Sequence, residues 1–227
     1  MEARGHEPFS VKLVSVTPDA EHLMAYCARV SSPQNQDNRD TEAKLLKYCA
    51  KHGHWSVFEH AVMTVEVETS VAIAAQILRH RSFTFQQFSA RYARAGDMGF
   101  YIAEARRQDI KNRQNSIDDL PADVKDWFDD AQAKVATYSK LLYDEALRKG
   151  IAKEQARFLL PQNTLTRMYM TGSARSWIHY LQSRCADGVQ LEHKEVALAI
   201  RDTIFKEQFP TLYEAIFEQN NKAENLN

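Results

Sequence analysis

The chain has 227 residues and a mass of 26.1 kDa, which allows one large domain or two small ones at roughly 100–200 residues each. Hydrophobic residues make up 44% and charged residues 26%, with only 7 Gly and 6 Pro; these proportions exclude disordered, collagen-like and low-complexity chains. Lys+Arg at 29 against Asp+Glu at 30 gives a net charge of −1, so a nucleic-acid role would have to rest on a local patch. Three cysteines, Cys27, Cys49 and Cys185, are too few and too odd in number for a disulfide framework and point to a reducing compartment. The N-terminus MEARGHEPFS has no apolar signal segment. The longest apolar run, VAIAAQIL at 71–78, is eight residues, against the ~18 of a membrane span. A soluble, cytoplasmic protein is expected.

Phe9–Val16 alternates, with Phe9, Val11 and Leu13 on one face, and reads as a strand. Asp19–Val30 reads as a helix with Leu23, Tyr26 and Cys27 at helical spacing, and Ser31–Arg39 as a polar loop. Thr41–His52 is a second helix with Leu45, Leu46 and Cys49 on its apolar stripe and Gly53 at the C-terminal cap position. In Ala61–Thr69, Ala61, Met63, Val65 and Val67 alternate with Thr64, Glu66 and Glu68, a strand pattern, and Ser70 can cap a helix over about 71–79. Residues 82–103 read as loop or irregular strand, and 104–119 as a polar, mobile stretch. Pro121 opens a long helix to about Lys149 that turns Val124, Phe128, Ala131, Val135, Leu141 and Leu142 inward. Shorter helices are expected at 152–160, 164–183, 191–206 and 210–218, and a frayed tail over 219–227. This order does not alternate as a doubly wound fold does. It predicts α+β: a mainly helical single domain with a small antiparallel sheet.

No acidic residue occurs between Glu68 and Asp97, while Arg79, His80, Arg81, Arg91 and Arg94 fall inside that gap. Guanidiniums without carboxylates repel one another, so an anion should lie among them, and their planar forks suit phosphate. Phe83, Phe85 and Phe88 can stack on a heterocycle, and Gln86, Gln87 and Ser89 can read its edge. The alternative is a solvated basic loop.

Arg79-His80-Arg81, seven residues, then Ser89 followed by Ala90-Arg91-Tyr92 resembles the RHR-x7-S signature of flavin-dependent thymidylate synthases. His52-Gly53-His54, Ser56 and Phe58-Glu59-His60 resemble the family's HGH-x-S-x-FEH stretch, and Ala28-Arg29-Val30-Ser31 its early ARVS. Ala156–Pro161 and Arg184-Cys185-Ala186-Asp187, with Gln190 and Glu192, resemble its C-terminal motifs. The likeness runs from about residue 9 to 217.

The resemblance implies reductive methylation of dUMP to dTMP, with methylenetetrahydrofolate as one-carbon donor and FAD reduced by NADPH, in a homotetramer whose sites are shared between subunits. By position, Arg79, His80, Arg81, Ser56, Gln87, Arg175 and His179 match flavin contacts. Gln76, Arg79, Gln87, Phe88, Ser89, Ala90, Arg91 and Arg157 match dUMP contacts. Arg184 matches the residue that faces the uracil ring and favours its ionised N3 form, and Arg184, Ser89 and His54 are the catalytic assignments. The family commonly has Asn-Glu where this chain has Gln86-Gln87, and a Gln at position 87 cannot take a proton. The family variant with Asn at one flavin contact is His179 here.

Other readings stand beside these. His52, His54 and His60 lie within nine residues but lack a supporting carboxylate or cysteine pair, so capping and cofactor contact are weighed above a metal, and none is assigned. Cys185 adjoins Arg184, but helix neighbours do not share a face, which makes it a packed thiol rather than a nucleophile. Trp55, Trp127 and Trp177 read as core or interface, and Gly172 as a point of close approach within helix 164–183. The rival functions are a single-strand-binding module built on 79–94, which the net charge disfavours, and a metal-dependent nucleotide hydrolase. The partners expected are dUMP and folate, with no nucleic acid and no membrane.

Overall fold

The computed structural model describes residues 9–218. Its strands are β1 (Ser10–Val16), β2 (Val62–Ser70), β3 (Thr84–Gln87), β4 (Arg107–Gln108), β5 (Ser116–Ile117) and β6 (Leu165–Ser173). The helices are α1 (Ala20–Ala28), α2 (Glu42–Lys51), α3 (Val71–Ile77), α4 (Ala122–Arg148), α5 (Lys153–Ala156), α6 (Ala174–Arg184), α7 (Leu191–Ala199), α8 (Lys206–Gln208) and α9 (Pro210–Tyr213). A wide π-turn over Ile200–Phe205 joins α7 to α8. Four strands make one antiparallel sheet in the order β1-β2-β6-β3, and β4 with β5 forms a separate ribbon. The class is α+β, as expected. The expected frayed tail, 219–227, lies outside the described residues.

The sheet is built on period-two alternation. Ala61, Met63, Val65 and Val67 are all fully buried, each larger side chain contributing about 1.5–3 kcal/mol of hydrophobic stabilisation. Against them β6 sets Val65 opposite Met170, Val67 opposite Met168 and Met63 opposite Gly172. On the other face Glu68 stands opposite Arg167, and the two pair at 2.8 Å, leaving Glu68 buried rather than outward in solvent. Ser70 accepts from the Ile73 N–H at 3.3 Å and starts α3, while Gly53 takes φ +70 at the end of α2, a conformation open to glycine.

Three expectations are corrected. The helix expected over 164–183 is two elements: β6, then α6. Met168, Met170 and Gly172 are buried while Arg167 and Tyr169 are exposed, a strand period, and Ser173 ends β6 by accepting from the Ser176 N–H at 3.3 Å. Gly172 is needed in a strand, where an added Cβ would sit 2.6 Å from the Phe83 ring. The inward face of α4 is Ala136, Tyr143 and Ala146, whereas Val124, Val135 and Leu141, expected inward, are exposed along with Trp127 and Tyr138. In α1 the buried residues are Ala20, Met24 and Ala25, and Tyr26 is outside. The stretch 104–119, expected to be polar and mobile, carries the β4–β5 ribbon, and 82–103, expected as loop or irregular strand, carries β3.

Candidate active site

Three clusters of polar side chains gather residues that are distant in sequence. The first surrounds a cavity of about 500 Å³ walled by Gln87, Phe88, Ser89, Ala90, Arg91, Arg157 and Phe158, with Thr164–Thr166 beneath. β3 delivers this wall: Gln87 pairs with Met168, its amide Nε2 donates to Thr166 Oγ1 at 3.3 Å, and the Phe88 N–H donates to the Arg167 carbonyl at 2.8 Å. The Ser89 carbonyl then accepts from Tyr92 and Ala93, turning the chain so that Ser89 and Arg91 face outward. Arg157 enters from the turn after α5, its Nε donating to the Glu154 carbonyl at 3.2 Å.

The expected acid-free arginine field is only half present. Arg91 pairs with Glu154 at 3.0 Å and Arg94 with Asp144 at 2.7 Å. Glu154 and Asp144 come from α5 and α4, far along the chain, and so escaped a local reading of charge, while Asp97 also reaches Arg94 at 3.4 Å. Arg79 and Arg81 are exposed and make no ion pair among the described residues.

A second cavity, about 400 Å³, is walled by Trp55, Glu59, Ser82, Arg175, Ser176, Ile178, His179 and Gln182. Arg175, Ile178, His179 and Gln182 follow helical spacing along α6. Glu59 binds Arg175 at 2.9 Å and accepts from the Ser173 hydroxyl at 2.5 Å; the hydroxyl and then the guanidinium hold its carboxyl below the usual range. Ser56 lies in the same short helix as Trp55 and Glu59, Trp55–Glu59. His54 stands just before it, edge-on to Tyr48 at 5.8 Å, and is on the wall of neither cavity.

The third cluster has a buried centre, Tyr180 and His193, flanked by half-buried Arg184, His80 and Gln76. Arg184, the last residue of α6, donates from Nε to His80 Nε2 at 2.8 Å. Burial, then the charges of Arg184, His179 and Arg79, push His80 down to about 4, so at neutral pH it is the acceptor this bond requires. His80 stands edge-on to Tyr180 at 4.9 Å. Tyr180 bonds His193 at 3.2 Å, His193 bonds Gln76 Oε1 at 3.3 Å, and Gln76 Nε2 donates to Gln190 Oε1 at 2.6 Å. His193 is fully buried, and burial followed by the charges of Arg184 and His80 takes it down to about 3. Cys185 is half-buried, and burial pushes its thiol up to about 11, the opposite of an activated nucleophile.

Residues 12–211 match the family described as thymidylate synthase complementing protein. The chain is 58% identical over 196 residues to the flavin-dependent thymidylate synthase of Synechocystis sp., covering 86% of this chain and 89% of that one. It is 50% identical over 214 residues to the probable flavin-dependent thymidylate synthase of Paramecium bursaria Chlorella virus 1, covering 91% and 98%. The chain belongs to the flavin-dependent thymidylate synthase family. It is an enzyme, and its cofactor is a flavin. A crystal structure of a UMP/dUMP methylase, PolB from Streptomyces cacaoi bound with 5-Br dUMP, superposes with a TM-score of 0.81 at 26% identity, covering 91% of this chain and 93% of that chain.

Within this family member, Arg29 of the ARVS stretch is a structural residue. It is buried, with Nη1 donating to the Asn38 carbonyl at 2.5 Å and Nη2 to Thr41 Oγ1 at 2.9 Å, and so braces the 31–41 loop. The family motifs left Tyr180 and His193 without a role. The available signal was spacing: Gln190 and His193 are one helical turn apart, so a role for one implicates the other. A further cavity of about 470 Å³, between the β4–β5 ribbon and the start of α4, is lined by Arg106, Trp127, Phe128 and Gln190 and matches no expected site. No group of three His, Cys, Asp or Glu among the described residues could hold a metal ion, and no helix among them is long and apolar enough to cross a membrane.

Proposed function

We propose that this family member converts dUMP to dTMP by reductive methylation, with methylenetetrahydrofolate as one-carbon donor, FAD as its flavin and NADPH as reductant. The observation that carries the reading is the first cavity, where Ser89, Arg91 and Arg157 converge with the Gln87 amide. Guanidiniums and a hydroxyl suit a phosphate, and an amide suits a pyrimidine edge. The PolB structure supports it, since that relative is a UMP/dUMP methylase.

The donor set also fits FAD. Arg79 and Arg81, exposed and lacking ion pairs among the described residues, can take a diphosphate. Ser56, Arg175 and His179 lie in or beside the second cavity and offer donors for ring carbonyls. A flavin held there and reduced by NADPH would supply the hydride that brings the transferred carbon to the methyl level. Arg184 lines neither cavity, but its Nη groups carry no hydrogen bond among the described residues; as a fixed cation it would stabilise the ionised N3 form of the uracil and raise electron density at C5. Ser89 and Arg157 orient the nucleotide. Gln87 binds without moving a proton. Cys185, protonated at neutral pH, takes no part.

Two observations support a homo-oligomer with shared sites. The first and second cavities lie at opposite ends of β6, about 23 Å apart between Thr166 and Ser173 at 3.3 Å per residue. One copy therefore separates the groups that one reaction needs. The α4 stripe of Val124, Trp127, Val135, Tyr138 and Leu141 is exposed on the single chain, as expected of a face covered by another copy. A tetramer in the cytoplasm, each chain a single domain, completes the reading.

The test is to incubate the purified protein with dUMP, methylenetetrahydrofolate, FAD and NADPH and follow dTMP. Formation that stops when any one component is omitted is expected; dTMP formed without flavin, or none formed with all four, overturns the proposal. Tyr138→Glu should lower the mass seen in sedimentation if α4 is the contact.

A further inference from the structure

The buried chain from Tyr180 to Gln76 has a direction, and that direction has a consequence for the substrate. Tyr180 is fully buried, and its hydroxyl has one partner among the described residues, His193 Nε2. The phenol proton therefore goes to Nε2, since the reverse order would leave it without an acceptor in the interior. The proton of a neutral His193 then sits on Nδ1 and donates to Gln76 Oε1. Burial and the nearby Arg184 keep that imidazole neutral. With its oxygen turned to the fully buried His193, the Gln76 amide presents its nitrogen outward, where one N–H goes to the exposed Gln190 Oε1 and the other is uncommitted. Arg184 commits Nε to His80 and leaves its Nη groups uncommitted. At the outer rim of this cluster, apart from the Gln190 side-chain carbonyl oxygen, which already accepts from Gln76, the groups turned outward are the donors of Gln76 and Arg184.

We propose that Tyr180 and His193 are positioning residues that lock the Gln76 amide with its N–H outward, so that the site accepts a 4-oxo pyrimidine nucleotide and rejects a 4-amino one. This rests on the pyrimidine-nucleotide reading given above. A uracil ring ionised at N3 presents acceptors at O2, N3 and O4 to that rim. Cytosine presents an N4 amino group, and its donors would meet donors. Once the bound ring covers this rim, an unpaired donor discriminates more strongly than a missing methylene does. Were the amide free to flip, its Oε1 would accept from the amino group and the rejection would weaken.

The experiment measures dissociation constants of dUMP and dCMP for the flavin-loaded protein by titration calorimetry. The wild type is expected to favour dUMP by about 100-fold or more. Tyr180→Phe keeps the ring and removes the one proton that sets the direction; it should cut the preference by about tenfold or more with flavin content unchanged. Gln76→Glu replaces the outward donor by an acceptor at a half-exposed position and should weaken dUMP while strengthening dCMP. That variant decides the matter if Tyr180→Phe does not fold. An undiminished preference in Tyr180→Phe, or a Gln76→Glu protein that still rejects dCMP as the wild type does, overturns the inference while leaving the function intact. Failure of the wild type to bind dUMP overturns the pyrimidine reading itself.

Discussion

The Arg184–His80–Tyr180–His193–Gln76 cluster and the wall of Ser89, Arg91 and Arg157 use similar donors under opposite conditions. The first has a dry centre: His193 and Tyr180 are fully buried, the imidazoles are held neutral, and the Tyr180–His193 bond orders the His193–Gln76 bond. The second is wet: Arg91 and Glu154 are 70% and 45% exposed, where an ion pair contributes at most about 1 kcal/mol. Buried polar groups have few alternatives and so hold a geometry, which suits transition-state stabilisation and discrimination. Exposed cations keep their freedom and can exchange a surface carboxylate for a ligand's phosphate. The first region should therefore control turnover and selectivity, and the second affinity.

Removing Arg184 tests this hardest. Arg184→Ala should lose kcat by roughly 10²–10³-fold, the cost of one preorganised donor, with flavin content near normal. Arg184→Lys should retain part of the activity, keeping charge without the planar fork. Stopped-flow flavin reduction beside a dTMP assay reads both; wild-type turnover in Arg184→Ala would erase the distinction between the regions.

On the wet side, Arg157→Ala should raise the KM for dUMP by about 10–100-fold, the worth of one charge-assisted hydrogen bond, while kcat changes little. Steady-state kinetics separates the two, and a fall in kcat alone would move Arg157 into the catalytic class.

The dry region should also show in pH dependence. The folded pKa values of His80 and His193 lie below the unfolded value near 6.5, so as pH falls through 6.5 the unfolded chain takes up protons that the fold refuses, and stability drops. For His193 the loss between pH 7 and pH 5 is about 2 kcal/mol, and it grows until pH reaches the folded pKa. The first cavity has no histidine on its wall and adds nothing of this kind. Urea midpoints at pH 7 and pH 5, with nitrogen NMR shifts reporting neutral imidazoles at pH 5, check it. Equal midpoints, or imidazolium shifts, would contradict it.

The smallest effect is expected at Cys185, which is packed beside Arg184 yet outside the dry cluster. Cys185→Ala should leave turnover within a few-fold; a loss on the order of 10⁴-fold would mean a nucleophile.

Local sequence determined what local physics determines. β2 was legible because Met63, Val65 and Val67 alternate with polar residues, α2 because Leu46 and Cys49 share a stripe ended by Gly53, and α3 because Ser70 supplies its cap. The motif residues gave the family. β6 followed by Ser173 and α6 is the same strand–serine–helix arrangement as β2, Ser70 and α3, yet it read as one helix. Leu165, Met168, Tyr169 and Gly172 also fit a 3.6-residue spacing, and only pairing with both β2 and β3 selects the strand.

Tertiary structure alone decided the rest. The α4 period was real, but Ala136, Tyr143 and Ala146 took the inner face and left the larger apolar stripe outside. Glu154 and Asp144, the carboxylates closest to Arg91 and Arg94, came from α5 and α4, although Arg94 also reaches the local Asp97 at 3.4 Å. Tyr180, His193 and Gln76, carried on separate segments, became one hydrogen-bonded chain, with the Arg184–His80 bond packed edge-on against it, because folding removed the water that would otherwise have satisfied each of them alone.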